Sequence, residues 1–500
     1  MADNSDSHHL QDTQSSLANF DRDQIFDSLK RKNVPFIRND NPAWQTYAQT
    51  YNQRLSCEPL VIIVPETIRH ISDAVLSASN HGVPVQAKSG GHSYAGFSNG
   101  GFDGSLVIHM GHFQDVSVDK ETGIAKVGGG TRLGPLSLAV WEQCQRALAH
   151  GTCSAVGIGG HYTHGGYGHF SRAWGLAMDQ IVALDVVLAD GRCVHVDSTH
   201  YDDIFNAMRG AADMIGIAIN FYLQTQPAPA KVVRWELDLA SIAPVVDIDR
   251  ATDAFMHLQE VAHDSTVFNA NISFGVVLGP ARWFHVAGIY IGSEQMFRDA
   301  LVPHLLSGIC KSMQVKSTEL GWIDALKALA GDDLTVTETY SERSNFYAKS
   351  VTIPEPGAPR DSIRTYMEFI ATVGQEQQNF GWYAILDLYG GAGSTINMNH
   401  SSAAYRDRGS MWVAQHQAYV GGDVQFPEDG IAFLNSLNQA MSGMLDTFGA
   451  YLPYVDSEYD RTTAKHMYYG QDLYARIQKV KRRFDPTNVF ANPHSIRLDE

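Results

Sequence analysis

The stretch HGTCSAVGIGGHYTHGGYGH, residues 150–169, constrains the fold most strongly, because seven of its twenty residues are glycine. Glycine is unfavourable inside helices and weakens strands, so this stretch cannot form one long regular element. An earlier glycine pair lies in QAKSGGHSYAG, residues 86–96, which we call the first glycine loop, and residues 150–169 are the second glycine loop. Paired glycines after a strand let backbone N–H groups approach an anion without a Cβ in the way. Two such loops favour a phosphate-containing ligand, although a lone Gly-Gly pair more often makes only a turn.

The same stretch carries side chains that suggest two other kinds of site. His161 and His164 have helical i, i+3 spacing and His169 follows them, but the neighbouring glycines disfavour a helix and the run contains no carboxylate. Cys153 as a nucleophile would need a base and an orienting group, which a cysteine and a histidine somewhere in a long chain do not establish. We therefore expect no metal site, and we favour a ligand held by the backbone.

Length and composition exclude several classes of protein. The chain has 500 residues, of which 44% are hydrophobic, and a formal net charge of −17. That length predicts two domains, the negative charge argues against nucleic acid, and no apolar run approaches the roughly 20 residues that cross a membrane. The first residues lack the basic-then-apolar order of a secretory signal, which predicts an intracellular protein. The partner that we expect is a small molecule. Five scattered cysteines predict neither a disulfide framework nor a zinc ribbon.

Hydrophobic periodicity predicts a first domain with parallel and antiparallel strands. Residues 1–24 are polar and aromatic-poor, so we expect them to be disordered. Within residues 25–226, the segment 60–87 has the pattern of a strand, a helix and a second strand. Further strands follow, two of them joined by a hairpin at Asp190-Gly191.

The pattern changes after a proline-bearing break at 225–231. Residues 227–446 mix amphipathic helices with alternating strands, which predicts an antiparallel sheet covered by helices. The chain as a whole is therefore predicted to be an α+β protein of two domains. Pattern alone does not assign residues 447–500 to either of them.

The two glycine loops resemble those of a known flavoprotein family, the oxidases of the vanillyl-alcohol oxidase and p-cresol methylhydroxylase (PCMH-type) fold. The closest pattern is that of the berberine-bridge-enzyme-like branch with its fungal oligosaccharide oxidases. SGGHSY looks like the loop whose histidine is bonded to the flavin 8α-methyl group, and HGTCSAVGIGGH like the loop whose cysteine is bonded to flavin C6. The resemblance covers about nine-tenths of the chain. It implies FAD attached through His92 and Cys153, and a segment 447–500 that returns to the FAD-binding domain.

The resemblance also implies which other residues contact the cofactor and the substrate. The implied cofactor contacts are Ser89, Gly90, Gly91, Ser93, Val156, Gly157, Gly160, His161, Gly166, Gly168 and Ile219. The implied substrate contacts are Tyr94, Tyr383, Ile385 and Gln415. Tyr454 matches the family's tyrosine base, and Asp387 matches the carboxylate that assists it.

The implied reaction is hydride transfer from a carbinol carbon to the flavin, followed by reoxidation by dioxygen or another electron acceptor. A free tyrosine has a pKa near ~10, so Tyr454 needs help at neutral pH. Because an anion beside a phenol raises the phenol pKa, Asp387 is expected to accept the proton behind Tyr454 and not to acidify it. Lys349 could lower that pKa, but it is as readily explained as a solvated lysine.

Departures from the family pattern bear on the substrate and on the oxygen reaction. Sugar-oxidising relatives have a glutamine and a tryptophan just before the aspartate, where this chain has Ile385 and Leu386. Strand alternation predicts that only Ile385 shares the face of Asp387. His164 replaces a glycine near the expected oxygen path, and MRGAADMIG at 208–216 replaces a glycine-rich run.

Three functions remain open from the sequence. The leading substrate is the anomeric C–OH of an oligosaccharide, oxidised to a lactone with hydrogen peroxide as the second product. The alternative enzyme is a dehydrogenase or tailoring oxidase acting on an apolar secondary metabolite. A non-catalytic or metal-binding protein that kept the fold is the least favoured.

Overall fold

The computed structural model describes residues 22–239, 247–280, 283–310, 313–331, 333–336, 343–398, 402–422 and 424–498. The segment 1–24 that we expected to be disordered lies outside these residues, except for its last three, which begin the first helix. The predicted α+β class is confirmed, with mainly antiparallel sheets in two domains.

The first domain contains three sheets, of four, five and two strands. Its strands are β1 (Phe36–Ile37), β2 (Val61–Ile63), β3 (Val85–Lys88), β4 (Leu106–His109), β5 (Val116–Val118), β6 (Ile124–Gly128), β7 (Arg146–Ala147), β8 (Ile181–Val187), β9 (Cys193–Asp197), β10 (Ile217–Gln224) and β11 (Gln226–Pro227). Its helices are α1 (Arg22–Arg31), α2 (Trp44–Ala48), α3 (Ile68–Asn80), α4 (Leu133–Cys144), α5 (Ile158–Thr163), α6 (Ser171–Trp174) and α7 (Asp202–Ala211). The four-stranded sheet has the order β1-β2-β4-β3, and the five-stranded sheet has the order β5-β6-β10-β8-β9.

The predicted strand-helix-strand unit forms as β2, α3 and β3, and Thr67 caps α3 by accepting a hydrogen bond from the backbone N–H of His70. The strands β2 and β3 are not neighbours, because β4 lies between them and pairs in parallel with both. The loop SGGHSY therefore leaves the carboxyl end of a parallel strand, where ligand sites are common in such sheets. The predicted hairpin forms between β8 and β9, with Gly191 at a φ of 76°.

The second domain is built on one seven-stranded sheet of order β15-β12-β14-β13-β17-β18-β16. Its strands are β12 (Val232–Asp238), β13 (Ile272–Leu278), β14 (His285–Ile291), β15 (Lys316–Leu320), β16 (Asn345–Pro354), β17 (Gly381–Leu388) and β18 (Ser410–Val420). Its helices are α8 (Ile248–His263), α9 (Glu294–Met296), α10 (Val302–Ser307), α11 (Trp322–Ala330), α12 (Arg360–Phe369), α13 (Thr395–Met398) and α14 (Glu428–Ser442). All neighbouring strands are antiparallel, as predicted.

Strand β17 shows how this sheet leaves one face available for a site. Its residues alternate between buried and half-buried positions, and Leu386 lies in the core under the helices. Ile385 lies on the opposite face together with Asp387, as strand alternation predicts.

The C-terminal segment contains α15 (Arg461–Ala464) and α16 (Gly470–Phe484) and lies against the first domain. The buried Lys481 ammonium donates hydrogen bonds to the carbonyl oxygens of Met214 and Phe490, each at 2.8 to 2.9 Å. The backbone N–H of Val85 donates to the carbonyl oxygen of Val489 at 2.7 Å. Across the described ranges, no helix combines the length and apolar character needed to span a membrane.

Candidate active site

The two glycine loops touch through their backbones. A Cβ on Gly90 would collide with the backbone nitrogen of Gly157, and a Cβ on Gly157 would collide with that of Gly90. The hydroxyl of Ser89 donates to the carbonyl oxygen of Gly129 at 2.7 Å and accepts from the backbone N–H of Gly159 at 3.3 Å. This close approach explains why glycine is needed at both positions.

A cleft with an empty volume of about 520 Å³ lies beside this contact. Its walls come from the four-stranded and the five-stranded sheet, including residues 85–87 of β3, residues 216–218 and part of α5. A Cβ on Gly160 would meet nothing within 4 Å, so this position opens toward the cleft. A glycine-lined cleft between two sheets fits a nucleotide cofactor such as FAD.

A third glycine run belongs to the same assembly and was missed as a site feature in the sequence. Gly128, Gly129 and Gly130 follow β6, and we read them only as the end of a strand. A Cβ on Gly129 would collide with the carbonyl oxygen of Ala218, and its N–H donates to Ile219 at 2.8 Å. The signal was present, because this run, like SGGHSY, places adjacent glycines at the end of a strand.

The two predicted attachment residues differ in exposure. His92 stacks on Tyr51 with ring centroids 4.3 Å apart and planes at 13°. Burial and then the nearby Arg132 lower the pKa of His92 to about 3, so its ring is neutral at pH 7 and keeps a nitrogen lone pair. Cys153 is exposed. Burial raises the pKa of Tyr94 well above its usual value, and the neighbouring Tyr383 and Tyr51 and, least, Cys153 add to this effect. His92 and Cys153 lie on the two loops whose backbones touch at Gly90 and Gly157.

The other predicted cofactor residues do not all reach the cleft. Ser89 and Gly160 line it. Four other predicted residues use backbone groups inside the protein: the carbonyl oxygens of Gly91, Val156, Gly166 and Ile219 accept hydrogen bonds from Tyr51, Leu133, Ala177 and Gly129. The hydroxyl of Ser93 accepts from Phe97, and the N–H of Gly168 donates to Ser171. These contacts shape the loops around the cleft.

The histidines of residues 150–169 do not converge on a common point. Nε2 of His161 accepts a hydrogen bond from the backbone N–H of Gly151 at 2.8 Å, which ties the loop to itself and does not aim the ring at a cofactor. Nε2 of His150 bonds to the hydroxyl of Ser137 at 2.7 Å. Within the described ranges, no three His, Cys, Asp or Glu side chains are grouped so that they could hold a metal ion.

His164 forms an ion pair at the wall of the cleft. Its Nε2 donates to Oδ1 of Asp213 at 3.0 Å, and its Nδ1 donates to the carbonyl oxygen of Gly160 at 3.0 Å. The Thr163 hydroxyl, 2.9 Å from Nδ1, uses its proton on Gly159 and can only accept from this ring. A doubly protonated imidazolium donates to Asp213 and to Gly160 at the same time, so this geometry favours the charged form.

Electrostatics agree with this protonation state. Burial alone would lower the pKa of His164, but the charge of Asp213 and the hydrogen bonds from His164 to Asp213 and Gly160 raise it above the usual value. The pKa of Asp213 is lowered: burial opposes this, but His164 and the amide of Asn492, which donates at 2.7 Å, outweigh it. The His164–Asp213 pair therefore joins the second glycine loop to residue 213 and, through Asn492, to the C-terminal segment.

This pair predicts a pH-dependent stability. Because the folded pKa of His164 is raised, its contribution is full below the unfolded value of roughly 6.5 and is lost as pH rises through the folded pKa. We expect His164→Gln to destabilise the protein by about 1–2 kcal/mol at pH 6, and by clearly less at pH 9.5, in thermal unfolding. His195→Gln is the matched control, because His195 pairs with Asp185 on the surface and should change little. An equal loss for His164→Gln at both pH values would show that His164 carries no charge at pH 6.

The predicted substrate residues meet on the free face of the second sheet. The ring of Tyr454 stacks on Tyr94 at 5.2 Å with planes 4° apart, and Nε2 of Gln415 donates to the Tyr94 hydroxyl at 3.2 Å. Strand register places Ile385 opposite Gln415, and Tyr383 lies two residues along on the same face of β17. These residues form one wall that begins at the attachment loops.

The residue opposite Asp387 in the sheet is a glycine, which leaves room for the carboxyl group. Asp387 pairs in register with Gly275 on β13, where a Cβ would lie 2.7 Å from Oδ1 of Asp387. Burial raises the pKa of Asp387 to about 7, so it can gain or lose a proton near neutral pH. The sequence did not single out Gly275, because its role depends on a strand more than a hundred residues away in the chain.

Tyr454 is a neutral phenol in this arrangement. Burial, followed by the neighbouring Tyr94 and then Asp387, raises its pKa well above the usual value. Lys349 is neither a solvated lysine nor a cation that acidifies Tyr454, because its ammonium is buried and contacts Oδ2 of Asp456 at 2.5 Å. The described residues around Tyr454 therefore do not acidify its hydroxyl.

Comparisons with known proteins agree with this arrangement. A family model described as an FAD binding domain matches residues 59–197, and one described as berberine and berberine like matches residues 432–497. The chain is 34% identical to a chitooligosaccharide oxidase from Gibberella zeae, over 95% of each chain. It is 35% identical to a xylooligosaccharide oxidase from Thermothelomyces thermophilus, over 96% of this chain and 95% of the other.

A solved structure extends the comparison to the attachment residues. It concerns the 6-S-cysteinyl, 8α-N1-histidyl FAD of glucooligosaccharide oxidase from Acremonium strictum. Its TM-score is 0.88 at 28% identity, and the match covers 95% of this chain and 99% of that one.

Proposed function

Because the chain belongs to the berberine-bridge-enzyme-like family of FAD-linked oxidases acting on CH–OH groups, we propose that it oxidises a carbinol carbon with FAD attached through both His92 and Cys153. The observation that carries the proposal is the backbone contact between the loops that bear His92 and Cys153, at Gly90 and Gly157, next to Tyr94, on which Tyr454 stacks. The glucooligosaccharide oxidase structure supports the double attachment by analogy.

When bound, FAD supplies the hydride acceptor. The chain's own residues bind the substrate and move its hydroxyl proton. The Tyr454 hydroxyl receives the substrate proton and gives up its own proton toward Asp387. Asp387 is the carboxylate whose charge contributes to the raised pKa of Tyr454. With a pKa near 7, Asp387 is a competent final acceptor at neutral pH, so we expect turnover to fall below about pH 7.

The leading substrate is an oligosaccharide whose anomeric C–OH becomes a lactone, with dioxygen reduced to hydrogen peroxide. The names of the relatives support it, and so does the polar pair Gln415 and Tyr94 on the sheet face. The test is a panel of oligosaccharides and apolar alcohols assayed in parallel for peroxide in air and for dye reduction without oxygen. Peroxide from an oligosaccharide supports the proposal, whereas dye reduction without peroxide would assign a dehydrogenase.

One observation favours a second candidate, the oxidation of an apolar secondary metabolite. Ile385 lies on the face of Asp387, where it offers a substrate hydroxyl no hydrogen bond. An unpaired polar group in a closed site costs roughly 1–3 kcal/mol, which is a factor of about 5 to 150 in KM. Weak turnover of oligosaccharides with a high KM is therefore expected from the wild-type protein.

Ile385→Gln tests this contribution directly. The new amide restores a hydrogen-bonding group beside Gln415, so we expect kcat/KM for oligosaccharides to rise by about tenfold. Ile385→Leu keeps an aliphatic side chain of the same size and should leave sugar turnover unchanged. A low KM for oligosaccharides in the wild-type protein, or no rise in kcat/KM in Ile385→Gln, would contradict the importance assigned to this position.

A further inference from the structure

Arg132 lies between the two loops that carry the proposed attachment residues. It stands just before α4, where residues 131–134 run antiparallel to the second glycine loop. The N–H of Leu133 donates to Val156 at 2.9 Å, and the N–H of Ile158 donates to Thr131 at 3.0 Å. This backbone pairing fixes the position of Arg132 relative to the loop that carries Cys153.

The side chain of Arg132 reaches both loops at once. Its Nη1 donates to the carbonyl oxygen of Ala155 at 2.7 Å and to that of Gly90 at 3.2 Å. Ala155 is two residues after Cys153, and Gly90 is two residues before His92. Both hydrogen bonds come from one nitrogen, whose two N–H groups point in fixed directions within the guanidinium plane.

The charge of Arg132 also acts on its surroundings. Burial is the main cause of the lowered pKa of His92, Lys88 and His109, and the charge of Arg132 lowers all three further. Lys88 immediately precedes the first glycine loop, and its amine donates to the carbonyl oxygen of Tyr47 at 2.8 Å. Arg132 therefore disfavours a proton on the His92 imidazole in addition to holding its loop.

We propose that Arg132 is a positioning residue for cofactor attachment, which holds the two loops so that His92 and Cys153 present their reactive atoms to one flavin. This inference rests on the proposed double attachment. Residue pairs on separate loops need a common support if both are to reach a single rigid ring system. The contacts of Arg132 to the carbonyl oxygens of Gly90 and Ala155 provide that support through the backbones of both loops.

The attachment chemistry shows what must be positioned. A ring nitrogen of His92 forms a C–N bond to the flavin 8α carbon, and Sγ of Cys153 forms a C–S bond to C6. Each bond replaces one C–H bond of the flavin and one N–H or S–H bond of the protein. Two electrons and two protons leave in each case, and dioxygen takes them up as hydrogen peroxide.

The experiment measures each linkage separately. Arg132→Met, Arg132→Lys and the control Arg146→Met are made in two backgrounds, His92→Ala and Cys153→Ser, so that only one linkage is available in each protein. Arg146 is a suitable control because it also donates to backbone and hydroxyl oxygens of the first domain, at Thr225, away from both loops. Flavin is quantified in native protein after gel filtration and again after acid precipitation, and mass spectrometry locates the modified peptide.

Arg132→Met is expected to lower the covalently bound fraction by at least about threefold in both backgrounds, while native protein still carries flavin that denaturation releases. Arg132→Lys keeps the charge but is shorter and lacks the planar group, so we expect it to lower the covalent fraction in both backgrounds, though less than Arg132→Met. Arg146→Met should match its parent. A covalent fraction in the folded Arg132→Lys and Arg132→Met proteins equal to that of Arg146→Met would overturn the proposal.

The same series separates this proposal from the double attachment itself. If the two parent variants each carry covalent flavin and the Arg132 variants do too, only the positioning role fails. If neither parent carries covalent flavin, the double attachment fails and the role of Arg132 fails with it.

Discussion

Acid-precipitated wild-type protein is expected to keep its yellow colour, because FAD is proposed to be bonded to the chain at both His92 and Cys153. His92→Ala and Cys153→Ser should each retain covalent flavin through the remaining bond. Covalent bonds survive unfolding, whereas a cofactor held only by backbone contacts is released when the cleft opens. The double variant should therefore release essentially all of its flavin, the largest change expected from any substitution in this chain.

The measurement is the flavin absorbance of the washed pellet against that of the supernatant, with the tryptic peptides of both loops examined by mass spectrometry. Arg146→Met serves here as a control that leaves both loops unaltered. Loss of all colour from the wild-type pellet would reject double attachment. Stoichiometric zinc without flavin in the purified protein would instead favour the metal-binding alternative suggested by the histidines of residues 150–169.

The sequence predicts those features of the fold that depend on neighbours in the chain. The helix α3 with its Thr67 cap, the hairpin at Gly191 and the alternation along β17 are all local patterns. The two glycine loops are local as well, since a Gly-Gly pair after a strand has the same geometric consequence wherever it occurs. The identity of the cofactor came from the resemblance and not from these patterns.

Features that depend on distant parts of the chain could not be predicted. The ion pair between His164 and Asp213 joins residues 49 positions apart, and that between Lys349 and Asp456 joins residues 107 positions apart. No local sequence pattern marks either member of such a pair. From the sequence, His164 is therefore only a residue near the expected oxygen path, and Lys349 only a solvated or acidifying cation. The room that Gly275 leaves for Asp387 is a third example.

The pKa of Asp387 connects stability to the proposed proton relay. A carboxyl whose folded pKa is raised binds its proton more tightly in the native state, so its stabilising contribution is present below about pH 4 and is lost as pH rises through about 7. At pH 8 the folded protein therefore holds an ionised carboxylate at an energetic cost. Functional groups often reduce stability in this way, and we expect Asp387→Asn to remove that cost while it weakens the relay.

Tyr454→Phe is expected to slow flavin reduction by on the order of 10²-fold or more, because it removes only the hydroxyl that receives the substrate proton. The phenyl ring keeps the stacking on Tyr94 at 5.2 Å and the edge contact with Tyr451 at 4.8 Å, so the wall of the site should persist. An unchanged flavin absorbance spectrum and an unchanged unfolding temperature would show this. The rate is measured by stopped-flow absorbance under anaerobic conditions, which excludes reoxidation from the observed kinetics.

Two variants decide whether Tyr454 acts on the proton or only shapes the wall. Tyr451→Phe is the matched control, since the Tyr451 hydroxyl accepts a hydrogen bond from the backbone N–H of Tyr167 at 2.7 Å and has no part in the proposed relay. It should leave reduction within about threefold of wild type. Asp387→Asn should slow reduction less than Tyr454→Phe and flatten its pH dependence around 7, because the final acceptor no longer titrates. If Tyr454→Phe reduces its flavin at a rate within a factor of about two of wild type, another group takes the substrate proton. The substrate hydroxyl would then bind directly to residues on the sheet face that bears Asp387.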